Sequence, residues 1–337
     1  MIVRDAYSGV VASRRAVLRG LASAASTFAL AGCAGLASTA PRFDASGLSG
    51  DPVLLVATTR KPVNGAHAAP WYGTERASGL NIARARLAPP AASRFSLAAV
   101  GFDDWGIAAI EPAARVEDLV PPANGSRDVL IYVHGFNQSF ETAALDAVRL
   151  SDGIRFRGET MVFSWPSRAK LFDYGYDRES AMWSRDALQR VLDGLMASPN
   201  VDRIHIVAHS IGTMVTMEGL RQLHAARGDA ITGRIGAVVF ASPDIDMDVF
   251  SSSVDHIGPL ARKITLITAA NDRALALSGW MAGGITRVGA AHKAQLAKLG
   301  LRVIDASEQG WGIVNHDLFL SNDRIRGVIR SAIDTPA

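Results

Sequence analysis

The sequence predicts an α/β fold, a mostly parallel central sheet with helices on both faces. Two observations predict it. From Asp128 onward, short apolar, β-branched runs alternate with stretches of helical periodicity. Strands separated by helices need right-handed crossovers, and these make a parallel sheet covered on both sides. No internal repeat or second folded domain interrupts the alternation, and 48% hydrophobic residues in a 337-residue chain supply a large core.

The elements follow in order. Val53 to Thr59 is a β-branched run bounded by turn residues, hence a strand. From Arg60 to about Gly125 the chain is rich in Pro, Gly and Ala and weakly periodic, with one strand expected at Arg94 to Val100. Val129 to Val133 reads as a buried strand and is followed by a helix from about Ser139 to Leu150. Met161 to Ser164 is a strand stopped by Trp165-Pro166. Arg178 to Met196 carries an apolar helical stripe at Met182, Leu188, Val191, Leu192 and Leu195. The Ile204 to Val207 strand, a helix from Ser210 to about Ala226, and the Ile235 to Ala241 strand come next. A short irregular helix, the Ile264 to Ala269 strand, a helical region over 286–298, the Leu301 to Ile304 strand and a helix from Asn322 to Ile333 complete the series.

In such sheets, function sits at the carboxyl ends of the strands. Four strand ends carry polar residues suited to chemistry: His134-Gly135-Phe136-Asn137, Ala208-His209-Ser210-Ile211-Gly212, Asn271-Asp272 and Asn315-His316-Asp317. A nucleophile elbow needs small residues two before and two after its serine, where the turn presses backbone against them. Gly212 fits, and Ala208 stands where glycine is usual. Ser210 alone would equally suit a helix N-cap. A serine hydroxyl, however, becomes a nucleophile only beside a histidine that takes its proton, and that histidine needs a carboxylate to orient it. Ser210, Asp272 and His316 occur in the order Ser, Asp, His, each just past a predicted strand, which is the α/β-hydrolase order. Asp244, one strand earlier in Ser242-Pro243-Asp244-Ile245-Asp246, is the alternative acid; Asp244 and Asp246 also suit helix capping. The backbone amides of Ile211 and Phe136 are the expected oxyanion donors, and His134 is expected to be a structural hydrogen bonder. Ser164 to Ser167 with Phe172, Tyr174, Tyr176 and Trp183 either serve the site, lining an acyl pocket or forming a lid, or pack as core and helix-packing aromatics.

The segments "VLIYVHGFNQSFETA", "FSWPS", "IHIVAHSIG", "ASPDID", "ANDRAL" and "NHDLFLSNDRI" together resemble an uncharacterised bacterial family of α/β hydrolases in the esterase/lipase superfamily, over roughly Pro52 to Ile333. The resemblance implies the α/β-hydrolase fold and the Ser210, Asp272, His316 triad, and it implies no substrate. The expected function is a serine hydrolase cleaving a small-molecule ester or thioester through an acyl-enzyme. The alternatives are a non-enzymatic envelope protein using the scaffold for interactions, or a peptidase or acyltransferase with the same triad.

Charge and composition narrow the partners. The pI is about 9.2, but residues 1–32 carry Arg4, Arg14, Arg15 and Arg19 against Asp5, which equals the +3 of the whole chain. The remainder is neutral and shows no basic cluster interleaved with aromatics, so no nucleic-acid partner is expected. Ser13-Arg14-Arg15 and the short apolar run to Ala31 resemble a twin-arginine export signal, and Leu30-Ala31-Gly32-Cys33 resembles a lipobox ending at the chain's only cysteine. Residues 1–32 are therefore expected to be a signal peptide, Cys33 the lipidated residue, 33–50 a flexible Ala/Ser/Gly tether and 51–337 the hydrolase domain, held at the periplasm-facing cell envelope, with the outer membrane the favoured site. No cofactor and no metal are expected, because no His-Glu-x-x-His, phosphate-loop or dinucleotide pattern occurs.

Overall fold

A nine-stranded sheet in the order β3-β2-β1-β5-β4-β6-β7-β8-β9 organises the chain. The computed structural model describes residues 52–63, 69–88, 105–122, 127–168, 170, 173–281, 283–309 and 318–335. Strands β1 (Val53–Pro62), β2 (Tyr72–Ala88) and β3 (Gly106–Pro112) are joined antiparallel at one edge. β4 (Arg127–Val133), β5 (Glu159–Ser164), β6 (Val201–His209), β7 (Ile235–Ala241), β8 (Ile264–Thr268) and β9 (Arg302–Asp305) pair in parallel, and β1 joins them parallel to β5.

The central strands are buried on both faces, as their continuous apolar runs require: Val129 to Val133 and Ile235 to Ala241 are buried throughout. One face is covered by α1 (Phe140–Gly153) and the C-terminal α8 (Asp323–Asp334), through Phe140, Ala147, Leu150, Ile325 and Ile329. The other is covered by α3 (Arg185–Ala197), α4 (Ile211–Arg227) and α5 (Met247–Asp255), through Leu188, Leu192, Val215, Leu220 and Phe250. Among the described residues, the remaining α-helices are α2 (Tyr174–Trp183), α6 (Arg273–Met281) and the single turn α7 (Lys293–Leu296).

Four differences from the sequence reading have physical causes. The weakly periodic stretch after Arg60 holds β2 and β3: in β2, Ala83, Ala85 and Leu87 are buried while Arg86 is exposed between them, an alternation carried by alanines and thus faint in hydropathy. The strand expected at Arg94 to Val100 lies outside the described residues. The single helix expected from Arg178 to Met196 is two, broken at Ser184, whose hydroxyl donates to the Ser180 carbonyl at 2.8 Å and meets Thr59 Oγ1 at 2.8 Å. The region 286–298 is not one helix but two 3-10 turns flanking α7, ended by Gly300 at φ 69°. Helix α6, directly after Asp272, was not anticipated, because Asn271-Asp272 reads as a turn.

Candidate active site

Ser210 is the single residue between the end of β6 and the start of α4, at the carboxyl edge of the sheet. Its backbone sits at φ 51°, ψ −121°, and its side chain makes no cap bond to the helix. This is not the extended backbone of a helix cap; it is a strained strand-to-helix turn. The turn is pinned from both sides. The Ser210 amide donates to the Ala241 carbonyl at 3.0 Å, and the Ser210 carbonyl accepts from the amides of Thr213 (3.1 Å) and Asp244 (3.3 Å) and from the Thr213 hydroxyl (2.6 Å).

Two glycines make the turn sterically available. A Cβ on Gly212 would lie 2.4 Å from the His134 carbonyl oxygen and 2.7 Å from that of Val133, so no side chain fits. A Cβ on Gly135 would lie 2.7 Å from His209 Nδ1 and 3.0 Å from Ser210 Cβ. The loop after β4 is thereby pressed against the serine. Ala208 replaces the usual glycine at no visible steric cost: it is fully buried between Val133 and Phe240 in the neighbouring strands.

The Phe136 and Ile211 amides have no hydrogen-bond acceptor among the described residues, which leaves both available as donors next to Ser210. The loop that carries Phe136 is tied down by groups the sequence reading passed over. Fully buried Arg60, near the end of β1, donates from Nη2 to the Gln138 carbonyl (2.7 Å), from Nη1 to the Ser167 (3.1 Å) and Gly73 (3.2 Å) carbonyls, and from Nε to Ser164 Oγ (2.8 Å). Buried Asp177 accepts from Ser167 Oγ (2.5 Å), from the Arg168 amide (2.9 Å) and from the backbone of Asn137. Burial lowers the Arg60 pKa to about 10 despite the nearby Asp177 charge, and burial raises that of Asp177 despite its donors. An arginine at the end of an apolar strand gave no local signal of this role.

His134 is the structural residue expected. The Trp165 amide donates to its Nε2 (3.1 Å), so Nδ1 carries the proton and donates to the Gly135 carbonyl (2.8 Å). Burial, and then the Arg60 charge, hold its pKa down to about 3. It is therefore neutral at ordinary pH and poorly suited to act as a base. Trp165, fully buried, stacks on it with ring centroids 4.6 Å apart. Of the two readings of the aromatic group, packing holds for Trp165. Tyr176 and Trp183 flank the Arg76 guanidinium, whereas Tyr174 lies edge-on to Phe136 at 5.5 Å. Phe172 lies outside the described residues.

The two candidate acids occupy different settings. Asp244 accepts from Tyr174 Oη (2.7 Å), Ser278 Oγ (2.7 Å) and Arg287 Nε (3.0 Å), all in a buried network. Asp272, also buried, accepts the Ala274 (3.0 Å) and Leu275 (3.1 Å) amides at Oδ1 and so begins α6. Asp246 fills the capping role on α5, accepting from the Asp248 and Val249 amides. His316 and Cys33 lie outside the described residues. The nearest described position past His316 in the folded core is Phe319, whose ring lies 4.8 Å from that of His209, beside Ser210. Among the described residues, no three His, Cys, Asp or Glu side chains group as a metal site, and no helix is long and apolar enough to cross a membrane.

A 61-residue stretch is 34% identical to an uncharacterized protein of Nostoc sp. strain PCC 7120, covering 18% of this chain and 16% of that one, so the chain spans about one sixth of this curated relative. Among solved structures, a thermostable esterase from Pseudomonas putida is 12% identical, with TM-score 0.41 over 84% of this chain and 82% of that one. A lidless α/β serine hydrolase from Xanthomonas campestris is 13% identical, with TM-score 0.38 over 75% and 88%. Residues 115–332, well over half of the chain and nearly all of its parallel sheet, match the family model described as alpha/beta hydrolase of unknown function (DUF900), and the chain belongs to that family.

Proposed function

We propose that the chain is a serine hydrolase that cleaves a small-molecule ester or thioester. Ser210 Oγ attacks the acyl carbonyl and passes its proton to His316, and the oxyanion forms toward the amides of Ile211 and Phe136. Collapse expels the alcohol or thiol, which takes the proton back from His316. Water then enters by the same route in reverse and releases the acid. Asp272 orients His316, a role for which Asp244 is less suited because its oxygens are engaged by Tyr174, Ser278 and Arg287. The observation that carries the reading is the strained, doubly pinned backbone of Ser210, since such strain persists where a functional side chain needs it. His316 precedes Phe319 by three residues in the sequence, and the packing of Phe319 against His209 beside Ser210 supports its assignment to this site.

A fluorophosphonate probe tests this: it labels Ser210 in the folded chain, and Ser210→Ala abolishes both labelling and hydrolysis of acyl esters. Undiminished hydrolysis by Ser210→Ala would overturn the proposal. Cys33 is proposed to carry the lipid that holds the enzyme at the cell envelope. Mass spectrometry of the mature amino terminus checks it, the expected product being a lipidated Cys33 with residues 1–32 removed.

A further inference from the structure

The end of the sheet opposite Ser210 carries a polar cavity. The amino ends of β4, β5 and β6 open a cleft of about 650 Å³ lined by Arg127, Arg155, Arg157, Arg203 and Arg330, together with Asp128, Asp202 and Asp334. Strand β6 spans nine residues, so the cleft lies about 26 Å from the serine at the other end.

The charges are not all balanced. Arg127 pairs with Glu159, Arg203 Nη2 lies 3.0 Å from Asp128 Oδ2, and Arg330 Nε lies 3.5 Å from Asp334 Oδ2. Arg155 and Arg157, both exposed, have no side-chain partner among the described residues. Asp128 does not compensate them, because its charge is drawn inward. Fully buried His205 accepts the Ala237 amide at Nδ1 (3.1 Å), so its Nε2 carries a proton and donates to Asp128 Oδ2 (3.1 Å), the same oxygen that Arg203 holds.

The loop that presents the two arginines is built into place. Phe156, between them, lies edge-on to the His205 ring at 5.9 Å. Gly158 is pressed so close to β4 that a Cβ there would lie 2.0 Å from the Asp128 carbonyl oxygen. Arg155 itself sits at φ 54°, a left-handed position just past α1 where glycine or asparagine is the comfortable residue. A strained arginine at such a position, kept where a glycine would cost less, points to use of its side chain. Asp202 is the one lining carboxylate outside these ion pairs, so the five arginines exceed the four carboxylates (Glu159, Asp128, Asp202 and Asp334) and the cleft keeps a net positive charge; the planar guanidinium fork matches the oxygens of a phosphate.

We propose that this cleft binds a phosphate group, with Arg155 and Arg157 as the principal contacts and Arg203 and Arg330 at its sides. The group is carried either by a phospholipid headgroup or by a small soluble phosphate. Residue Val53, level with Glu159 by the β1–β5 register, brings the chain into the sheet on this same edge.

The test uses the full-length chain carrying Cys33→Ser, and the same chain with Arg155→Gly and Arg157→Gln. Glycine at 155 relieves the left-handed strain, so the double variant folds at least as well. One arm titrates inorganic phosphate and pyrophosphate by calorimetry. The other measures sedimentation with phosphatidylcholine vesicles, with and without phosphatidylglycerol. The parent is expected to bind in at least one arm, and the double variant to bind about tenfold or more weakly there, as expected for losing charge-assisted hydrogen bonds. Binding only in the soluble arm identifies a soluble phosphate, and binding only to phosphatidylglycerol vesicles identifies a headgroup. Absence of binding in both arms, or equal binding by parent and variant, overturns the proposal. Fluorophosphonate labelling of Ser210 is expected to be equal in both chains, which separates this inference from the fate of the hydrolase reading.

Discussion

A Cβ placed on Gly135 would lie 3.0 Å from the Cβ of Ser210 and 2.7 Å from Nδ1 of His209. The Ser210 turn and the loop carrying Phe136 are thus in van der Waals contact through a position that has no side chain. Gly135→Ala must push the loop off the serine and carry the Phe136 amide away from the place proposed for the oxyanion. The expected result is a fall in kcat of on the order of 10² to 10³, comparable to losing one oxyanion donor, with the fold retained. Steady-state kinetics on a short acyl ester, beside a thermal melt of the same sample, reads both quantities.

His134 makes a second prediction, in stability rather than rate. Its pKa is 6.5 in an unfolded chain and about 3 in the fold, because burial disfavours the charged ring and Arg60 repels it. As pH falls below 6.5 the unfolded chain takes up a proton that the folded chain refuses until near pH 3. The stability contributed by the neutral ring is therefore complete above pH 6.5 and is lost progressively across that window. Buried His205, also shifted down by burial, adds a slope of the same sign. His134→Gln, neutral at every pH, is expected to have a lower urea midpoint at pH 8 and a shallower decline between pH 6.5 and 4.

How much of this was legible in the sequence depends on the kind of signal each residue leaves. Ser210, Gly212 and the loop at His134-Gly135-Phe136 sit at strand ends, and the parallel strands announce themselves through runs such as Val129 to Val133, buried on both faces. Strand β2 left no such trace, since three of its five buried residues are alanines and its exposed residues, Thr74, Glu75, Arg76, Ser78 and Arg86, are polar or charged. Arg60 was invisible for a different reason. A buried cation that grips the carbonyls of Gln138, Ser167 and Gly73 acts on residues 13 to 107 positions away, and no local pattern encodes contacts between distant backbone oxygens. Ser184, likewise, ends a helix through Ser180 and Thr59, while the apolar stripe runs on across it.

Arg60 supplies a third prediction. Arg60→Met fills the same space but leaves three carbonyl groups and Ser164 Oγ without their donor, at a cost of about 1–3 kcal/mol for each buried group left unpaired. Relief from burying the charge offsets part of this, so the net destabilisation is expected near the lower end of about 3–5 kcal/mol, the range for breaking a buried charged network. Arg60→Lys keeps the charge but cannot span carbonyls on three segments, and should fall between the two. If the guanidinium orders the Phe136 loop, kcat for both variants drops more than KM rises, under conditions where urea melts show each chain fully folded.

The two buried carboxylates near the site separate under one matched pair of substitutions. Asp272→Asn preserves the shape and the Oδ1 acceptor that caps α6 but removes the charge proposed to orient His316; kcat should fall on the order of 10⁴, as when a triad carboxylate is neutralised, with little change in melting temperature. Asp244→Asn does the reverse. It leaves the Arg287 guanidinium buried without its counter-charge and disturbs the hydrogen bonds from Tyr174 and Ser278, so stability should drop by about 3–5 kcal/mol while kcat in the folded fraction changes little. Because Tyr174 also packs edge-on against Phe136, a modest rise in KM is expected from Asp244→Asn as that ring loosens. Kinetics normalised to active sites titrated with a fluorophosphonate, together with urea denaturation of both variants, decides the assignment. A folded Asp244→Asn chain that is inactive beside an active Asp272→Asn chain would transfer the orienting role to Asp244, with Tyr174, Ser278 and Arg287 holding it in place.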